Sequence, residues 1–379
     1  MRVVRVSVRP VDLESIDRAR AVLDRTGLPG LVLTSPGAVA WATGGLNTPI
    51  DRSAGTDTVW VAIGPSTVSL VTTNVEHPRL MAEWGSDDTC PITVAPWWDG
   101  DAMIEAAASA MGADPASIGS DGHPGFGHDI SLLLTTERLA LSAAQQAALE
   151  TLARESTGVV ESALRAWTPG ETDDAVASRI AGGVEAFGGQ CPVLLVGGDD
   201  RVMRFRHPVA IGAPITTLAM AVLVASRGGQ HVALTRFASA GTLDHDLAAR
   251  LGVARGIQQD VVTACRPGAT VGEVMTILAD SYDRRGAGAE WRDHYQGGPI
   301  GYAQREFEIA PVQTSSPWWD VALPNGCAVA FNPSVRGGAK DEDTFLITDD
   351  GPRWITRSAD WPTTDDPNFP RPAVLTIEN

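Results

Sequence analysis

Residues 221–236, AVLVASRGGQHVALTR, read as two apolar strands joined at Gly228-Gly229. The apolar character continues on both sides, through TLAMAVLVASRGGQHVALTRFASAG at 217–241. Other extended stretches have the same texture: CPVLLVGG at 191–198, GCAVAFNPS at 326–334 and EDTFLITDDGPRWIT at 342–356, each bounded by Gly or Asp turns. Helices alternate with them. Residues 142–167 form one Ala-rich helix of high propensity. Residues 168–189 add a Pro-Gly turn, an acidic first turn and a second helix closed by Gly-Gly. A third helix runs through residues 243–268, and residues 267–288 repeat the plan of 168–189, with Thr270-Val271-Gly272-Glu273 after a Pro-Gly turn. That repetition suggests two related halves, although any capped helix has the same look. Helices packed on a curved antiparallel sheet fit this order better than a strictly alternating parallel sheet.

The first part of the chain differs. Asp12 to Arg25 has apolar residues three and four apart, TVWVAIG (58–64) and STVSLVTT (66–73) read as two strands, and residues 74–84 start another helix. Between the first helix and these strands, LPGLVLTSPGAVAWATGG gives a short buried strand, a Ser-Pro-Gly turn and a second apolar stretch. The expected organisation is an α/β N-terminal domain, residues 1–135, followed by an α+β domain, residues 136–379.

At roughly 100–200 residues per domain, 379 residues agree with two or three domains and a core that needs no staples. The chain is 44% hydrophobic and 20% charged, the composition of a globular protein. A formal charge of −17 argues against binding a phosphate backbone, so no nucleic-acid partner is expected. Of 29 basic residues only Lys340 is a lysine. MRVVRVSVRP lacks the apolar core of a secretory leader, and no run of eighteen apolar residues exists, so no membrane association is expected. Cys90, Cys191, Cys265 and Cys327 are widely separated, which suits small buried thiols in a reducing cytoplasm rather than a zinc or disulfide framework.

Taken together, the helix pairs, the strand pair 221–236, the Gly-rich stretch after His294 and the terminal EDTFLIT resemble the creatinase/aminopeptidase P superfamily. The resemblance covers most of the chain, including the N-terminal domain. It implies a pita-bread catalytic domain, in which two similar halves of helices and strands surround a curved sheet. The superfamily's metallopeptidases hold two metal ions with two Asp, one His and two Glu, an oxygen-rich set suited to hard divalent cations. Here Val222 or a close neighbour and Ala233 occupy the Asp positions, Gly298 stands at the histidine, and Asn332-Pro333 replaces a Glu-Pro. Only Glu342, in Glu342-Asp343-Thr344, survives. One carboxylate cannot hold two metal ions, so neither a metal nor another cofactor is expected.

The remaining pattern is similar to creatinase, the metal-independent branch. Ala233-Leu234-Thr235-Arg236 matches that enzyme's Ala-Leu-Glu-Arg, and Arg206-His207-Pro208 matches the region of its catalytic histidine. Thr235 and Asn332 stand where creatinase places glutamates on a guanidinium, which argues against creatine itself. By this resemblance His207 is the proton shuttle, helped by His294 and Glu342. Arg305 is the carboxylate clamp, with Thr235, Arg236 and Asn332 beside the substrate. Blander readings stand next to these: His207 capping a turn, His294 structural, Arg305 paired with Glu306 or Glu308, and Glu342 in a solvated acidic turn. Arg204 and Arg206 are expected to favour neutral His207 by charge repulsion. Trp97-Trp98 and Trp318-Trp319 are read mainly as core or interface packing.

The expected activity is C–N bond hydrolysis on a small amino- or guanidino-carboxylate or amide. Two alternatives are a non-hydrolytic acid/base enzyme of a biosynthetic pathway and a non-catalytic relative that binds a peptide or protein. The resemblance also implies a homodimer in which Arg52, from the N-terminal domain, reaches the neighbouring subunit's site.

Overall fold

The computed structural model describes residues 11–46, 48–85 and 89–378. Residues 1–10, read above for a leader, lie outside them. The chain divides into two compact units, one ending at Arg138 and including Gly228–Gln230, the other made of Leu139–Arg227 and the chain from His231 onward.

In the first unit the strands are β1 (Leu31–Leu33), β2 (Val59–Ile63), β3 (Val68–Thr73), β4 (Ile92–Ala95), β5 (Gly119–Ser120) and β6 (His128–Asp129). They form one mixed sheet in the order β4-β3-β2-β1-β5-β6. The helices are α1 (Leu13–Thr26), α2 (Pro36–Thr43), α3 (His77–Glu83), α4 (Ala102–Met111) and α5 (Ser131–Arg138). Asp12 caps α1 through Glu14 N and Ser15 N, and Gly27 ends it in the left-handed region. The Ser-Pro-Gly expected as a turn instead starts α2: Pro36 at the first helical position needs no N–H donor and already has the helical φ.

The second unit starts with α6 (Ala143–Arg165), held by a capping box between Ser142 and Gln145, and α7 (Asp173–Ala186), capped by Thr172. Strand β7 (Gln190–Gly198) leads through the short helix α8 (Asp199–Arg204) to β8 (Leu218–Arg227) and β9 (Gln230–Ala240). The plan then recurs. Helix α9 (His245–Ala264) and α10 (Val271–Arg284), with a Thr270–Glu273 capping box, precede β10 (Gly297–Ile300) and β11 (Ala328–Phe331). After the small pair β12 (Ser334–Val335) and β13 (Ala339–Lys340) come β14 (Asp343–Thr348), β15 (Gly351–Trp354) and β16 (Leu375–Ile377). The larger sheets run β16-β9-β8-β7 and β10-β11-β14-β15.

The two halves also share a hydrogen-bonding plan. Gly170 N donates to Ile215 O (2.7 Å) and Gly268 N to Leu323 O (2.9 Å). Ile215 N returns to Glu171 O (2.8 Å), and Leu323 N to Ala269 O (2.9 Å). Asp173 N reaches Ala213 O (2.9 Å), and Val271 N reaches Val321 O (3.0 Å). A generic capped helix does not explain a strand-like clasp repeated bond for bond. The halves meet where Thr235 N donates to Glu342 O (2.9 Å) and Thr344 Oγ1 bridges Ala233 N and Ala233 O. This seam brings the 221–236 hairpin against the KDED run, and the site lies beside it.

Candidate active site

Around the seam, one cavity of about 390 Å³ is lined by His207, Tyr295, Arg305, Glu308, Asn332, Lys340 and Glu342 over an apolar wall that includes Val222 and Val224. A second, of about 690 Å³, shares His207, Tyr295 and Glu308 and adds Arg206, His294 and apolar residues of the 309–312 stretch. His207 therefore stands where the two meet. It follows α8, whose start is fixed by Asp199: this carboxylate accepts backbone N–H bonds from Thr216, Thr217 and Leu218 and both threonine hydroxyls. Those bonds hold Asp199 down at about 2 despite its partial burial.

Extended backbone alternates its side chains, and the KDED run uses that alternation. Lys340 and Glu342 face the smaller cavity, whereas Asp341 and Asp343 bond the Arg371 guanidinium. Glu342 is 1% exposed, so the solvated acidic turn is excluded. Its Oε2 accepts from Thr235 Oγ1 at 2.8 Å, and its Oε1 lies 3.6 Å from Arg305 Nη2. Among the described residues the carboxylate facing Arg305 is therefore that of Glu342. Glu306 accepts from Tyr302 N and Glu308 from Gly297 N, both at 2.7 Å. Gly297 itself has φ +89°, and a Cβ there would sit 2.2 Å from Ala330 O, so only glycine allows β10 to approach β11 this closely.

The His207 and His294 rings meet edge to face, 4.8 Å between centroids. Burial pushes His294 down to about 2, with Lys340, His207, Arg206 and Arg305 adding to the effect. Burial likewise lowers His207, helped by Lys340 and Arg206 and opposed by Glu342. Both imidazoles are neutral near pH 7. Arg204, expected to act on His207, pairs instead with Asp200 on the surface, and Lys340 takes that part.

Arg236 has a different job from the one expected. It is 1% exposed, and its guanidinium is committed to Glu161, Asp343 and the carbonyls of Thr235 and Thr356. Every second residue of a strand turns away from a given face, so Thr235 reaches Glu342 while Arg236 points to the opposite side. Thr235 acts on the cavity through Glu342. Asn332, in the amide orientation that satisfies its neighbours, donates to Tyr295 O (2.7 Å) and Gln296 O (3.0 Å). Arg52 lies exposed in the turn at residues 51–53 of the first unit and lines neither cavity. Trp97 and Trp98 are exposed rather than packed in a core, whereas Trp318 stacks on Phe307 at 4.2 Å.

Sequence reasoning missed Lys340 and Glu308. The signal for Lys340 was present, since a chain that otherwise uses arginine has a single lysine two residues before Glu342. Nothing in the sequence marks Glu308. Among the described residues no group of three or more His, Cys, Asp or Glu side chains is arranged to hold a metal ion, and no helix is long and apolar enough to cross a membrane. Val222 and Val224 form apolar wall where the resemblance places a ligand, and such side chains offer no donor.

No protein-family model matches the chain, and no curated protein does. Solved structures do match. Dipeptidase PepE from Mycobacterium ulcerans is 21% identical, with a TM-score of 0.75 over 97% of this chain and 98% of its own. An Xaa-Pro dipeptidase from Bacillus anthracis is 18% identical, with a TM-score of 0.72 over 96% and 99%. The N-terminal domain of the FACT complex subunit SPT16 from Cicer arietinum (chickpea) is 12% identical, with a TM-score of 0.64 over 92% and 97%. The chain therefore has the expected fold, an α/β N-terminal domain followed by a pita-bread α+β domain. Identity this low carries the architecture across, and activity has to be argued from the site.

Proposed function

We propose that the protein is a metal-independent, creatinase-like hydrolase of C–N bonds in a small amino- or guanidino-carboxylate or amide, with His207 as general acid and base. The observation that carries this reading is a neutral imidazole at the junction of two cavities, beside the buried carboxylate of Glu342. A neutral ring can take a proton from the attacking water and return it to the leaving nitrogen. Glu342, which raises the basicity of His207, stabilises the imidazolium formed in between. Arg305 helps orient the substrate from the cavity wall, although Glu342 already holds one side of its guanidinium. His294 stays neutral and keeps the His207 ring in place by contact.

The test is turnover by chelated protein. Small amides and guanidino acids should be hydrolysed at an unchanged rate after chelation, with metal content well below one ion per chain. Loss of activity on chelation and its recovery with manganese would overturn the metal-free chemistry.

The apolar residues of the larger cavity favour one second reading, a non-catalytic cleft that binds a peptide. Co-purifying peptide with no turnover on any C–N substrate would select it.

The proposed assembly is a homodimer with Arg52 acting across it. Arg52→Ala should weaken carboxylate binding by about 1.5–3 kcal/mol, the range for a charged hydrogen bond, with folding unchanged. Mixed Arg52→Ala and His207→Ala subunits should regain activity, because one site of each heterodimer is then intact. A monomer in sedimentation, or a dimer without complementation, would remove Arg52 from the site.

A further inference from the structure

Most charged groups near the site already have partners. Arg305 faces Glu342 at 3.6 Å, Arg206 faces Glu290 at 3.3 Å, and Thr235 closes the other side of Glu342. Two charges in the smaller cavity are different. Lys340 is 4% exposed, yet among the described residues its ammonium has no hydrogen-bond acceptor and no carboxylate within 4.0 Å. Glu308 accepts one bond from the Gly297 N–H and forms no ion pair among the described residues. Both line the same space of about 390 Å³.

Lys340 feels the charge of Glu342 only from beyond ion-pair distance, so its burial is incompletely compensated, and Glu308, half-buried, has no cation opposite it among the described residues. Lys340 and Glu308 do not neutralise one another, although they share a wall. A ligand that brings a negative group to Lys340 and a positive group to Glu308 gives each a partner at contact distance. We infer that Lys340 and Glu308 are the specificity residues of this site, seating respectively the carboxylate and the cationic amino or guanidino group of one small zwitterion. This assignment rests on the acid/base reading above and gives its substrate class two named anchors. It moves the main carboxylate contact from Arg305 to Lys340, since Arg305 is already shared with Glu342. His207 lines the same cavity, so a C–N bond between the anchored groups comes within its reach.

Calorimetry with a graded series tests it: glycine, β-alanine, 4-aminobutanoate and guanidinoacetate, with butanoate and butylammonium as single-charge controls. At least one zwitterion should bind more tightly than either control. Lys340→Met should weaken that zwitterion and butanoate by about tenfold or more, the effect of removing a charge-assisted hydrogen bond, and leave butylammonium unchanged. Glu308→Gln should show the reverse selectivity. Because the chain has one lysine, 15N-lysine labelling gives a single side-chain ammonium signal, which should shift on adding the zwitterion or butanoate even if a variant folds poorly. Equal losses for all ligands in both variants, or a signal that ignores bound carboxylate, would overturn the assignment and leave the acid/base reading intact. Failure of the whole series to bind would also overturn it. The acid/base reading is judged separately, by turnover of chelated protein and of the His207→Ala variant.

Discussion

Replacing His207 with alanine should lower turnover by about 10²–10⁴-fold while leaving the fold and ligand affinity nearly unchanged. That is the range for removing a positioned general acid/base. The side chain sits at the cavity junction, outside the core, and its ring meets that of His294 edge to face. The pH profile gives a second readout. Burial and the Lys340 and Arg206 charges place His207 below the ordinary histidine value of about 6.5. In the proposed mechanism the free base is the active form, so activity should be retained at neutral pH and fall with acidification only once the pH passes below that ordinary value. Lys340→Met removes one of the depressing charges and should move this acid limb upward. A His207→Ala enzyme that keeps its turnover, or a profile without an acid limb, would sink the role.

Arg371→Met should destabilise the protein by about 3–5 kcal/mol, the cost of breaking a buried ion pair from one side. The guanidinium is 1% exposed and donates to both oxygens of Asp341 at 2.8 Å and to Asp343 at 2.7 Å. Removing it leaves Asp341 buried without its partner and Asp343 dependent on Arg236 alone among its ion pairs. Against a total stability of about 5–15 kcal/mol this is a large fraction, visible as a lower midpoint in urea. The paired variant Arg371→Met with Asp341→Asn should recover part of the loss, because one stranded charge goes with its partner. Lys340 and Glu342 alternate with these aspartates, so the single variant should also loosen the cavity and raise KM. A change within about 0.5 kcal/mol, the usual scale for surface substitutions, would show that the network is not strongly coupled.

The KDED run shows how far the sequence could be read. Its four charged residues look like a solvated turn, because local sequence cannot supply the buried guanidiniums that donate to two of them. Arg371 lies 30 residues from Asp341, and Arg236 lies 107 from Asp343. Such pairings arise only when the two halves close along the β9–β14 seam. The same closure explains Arg236, which the motif places near substrate and the strand's alternation turns away from it.

What the sequence determined by itself was the architecture. Periodicity, caps and turn residues are local, and they place α6, α7, α9, α10 and the 221–236 hairpin close to where they fold. Residue identity likewise shows that Val222, Ala233 and Gly298, where the resemblance places ligands, carry no donor side chain, and that Asn332 carries an amide. The partners were decided by tertiary structure alone: Arg305 with Glu342, His207 against His294, and Lys340 and Glu308, which form no ion pair within 4.0 Å among the described residues, beside one cavity. Charge interactions depend on distance and burial. Residues far apart in the chain acquire both only when the sheets fix them.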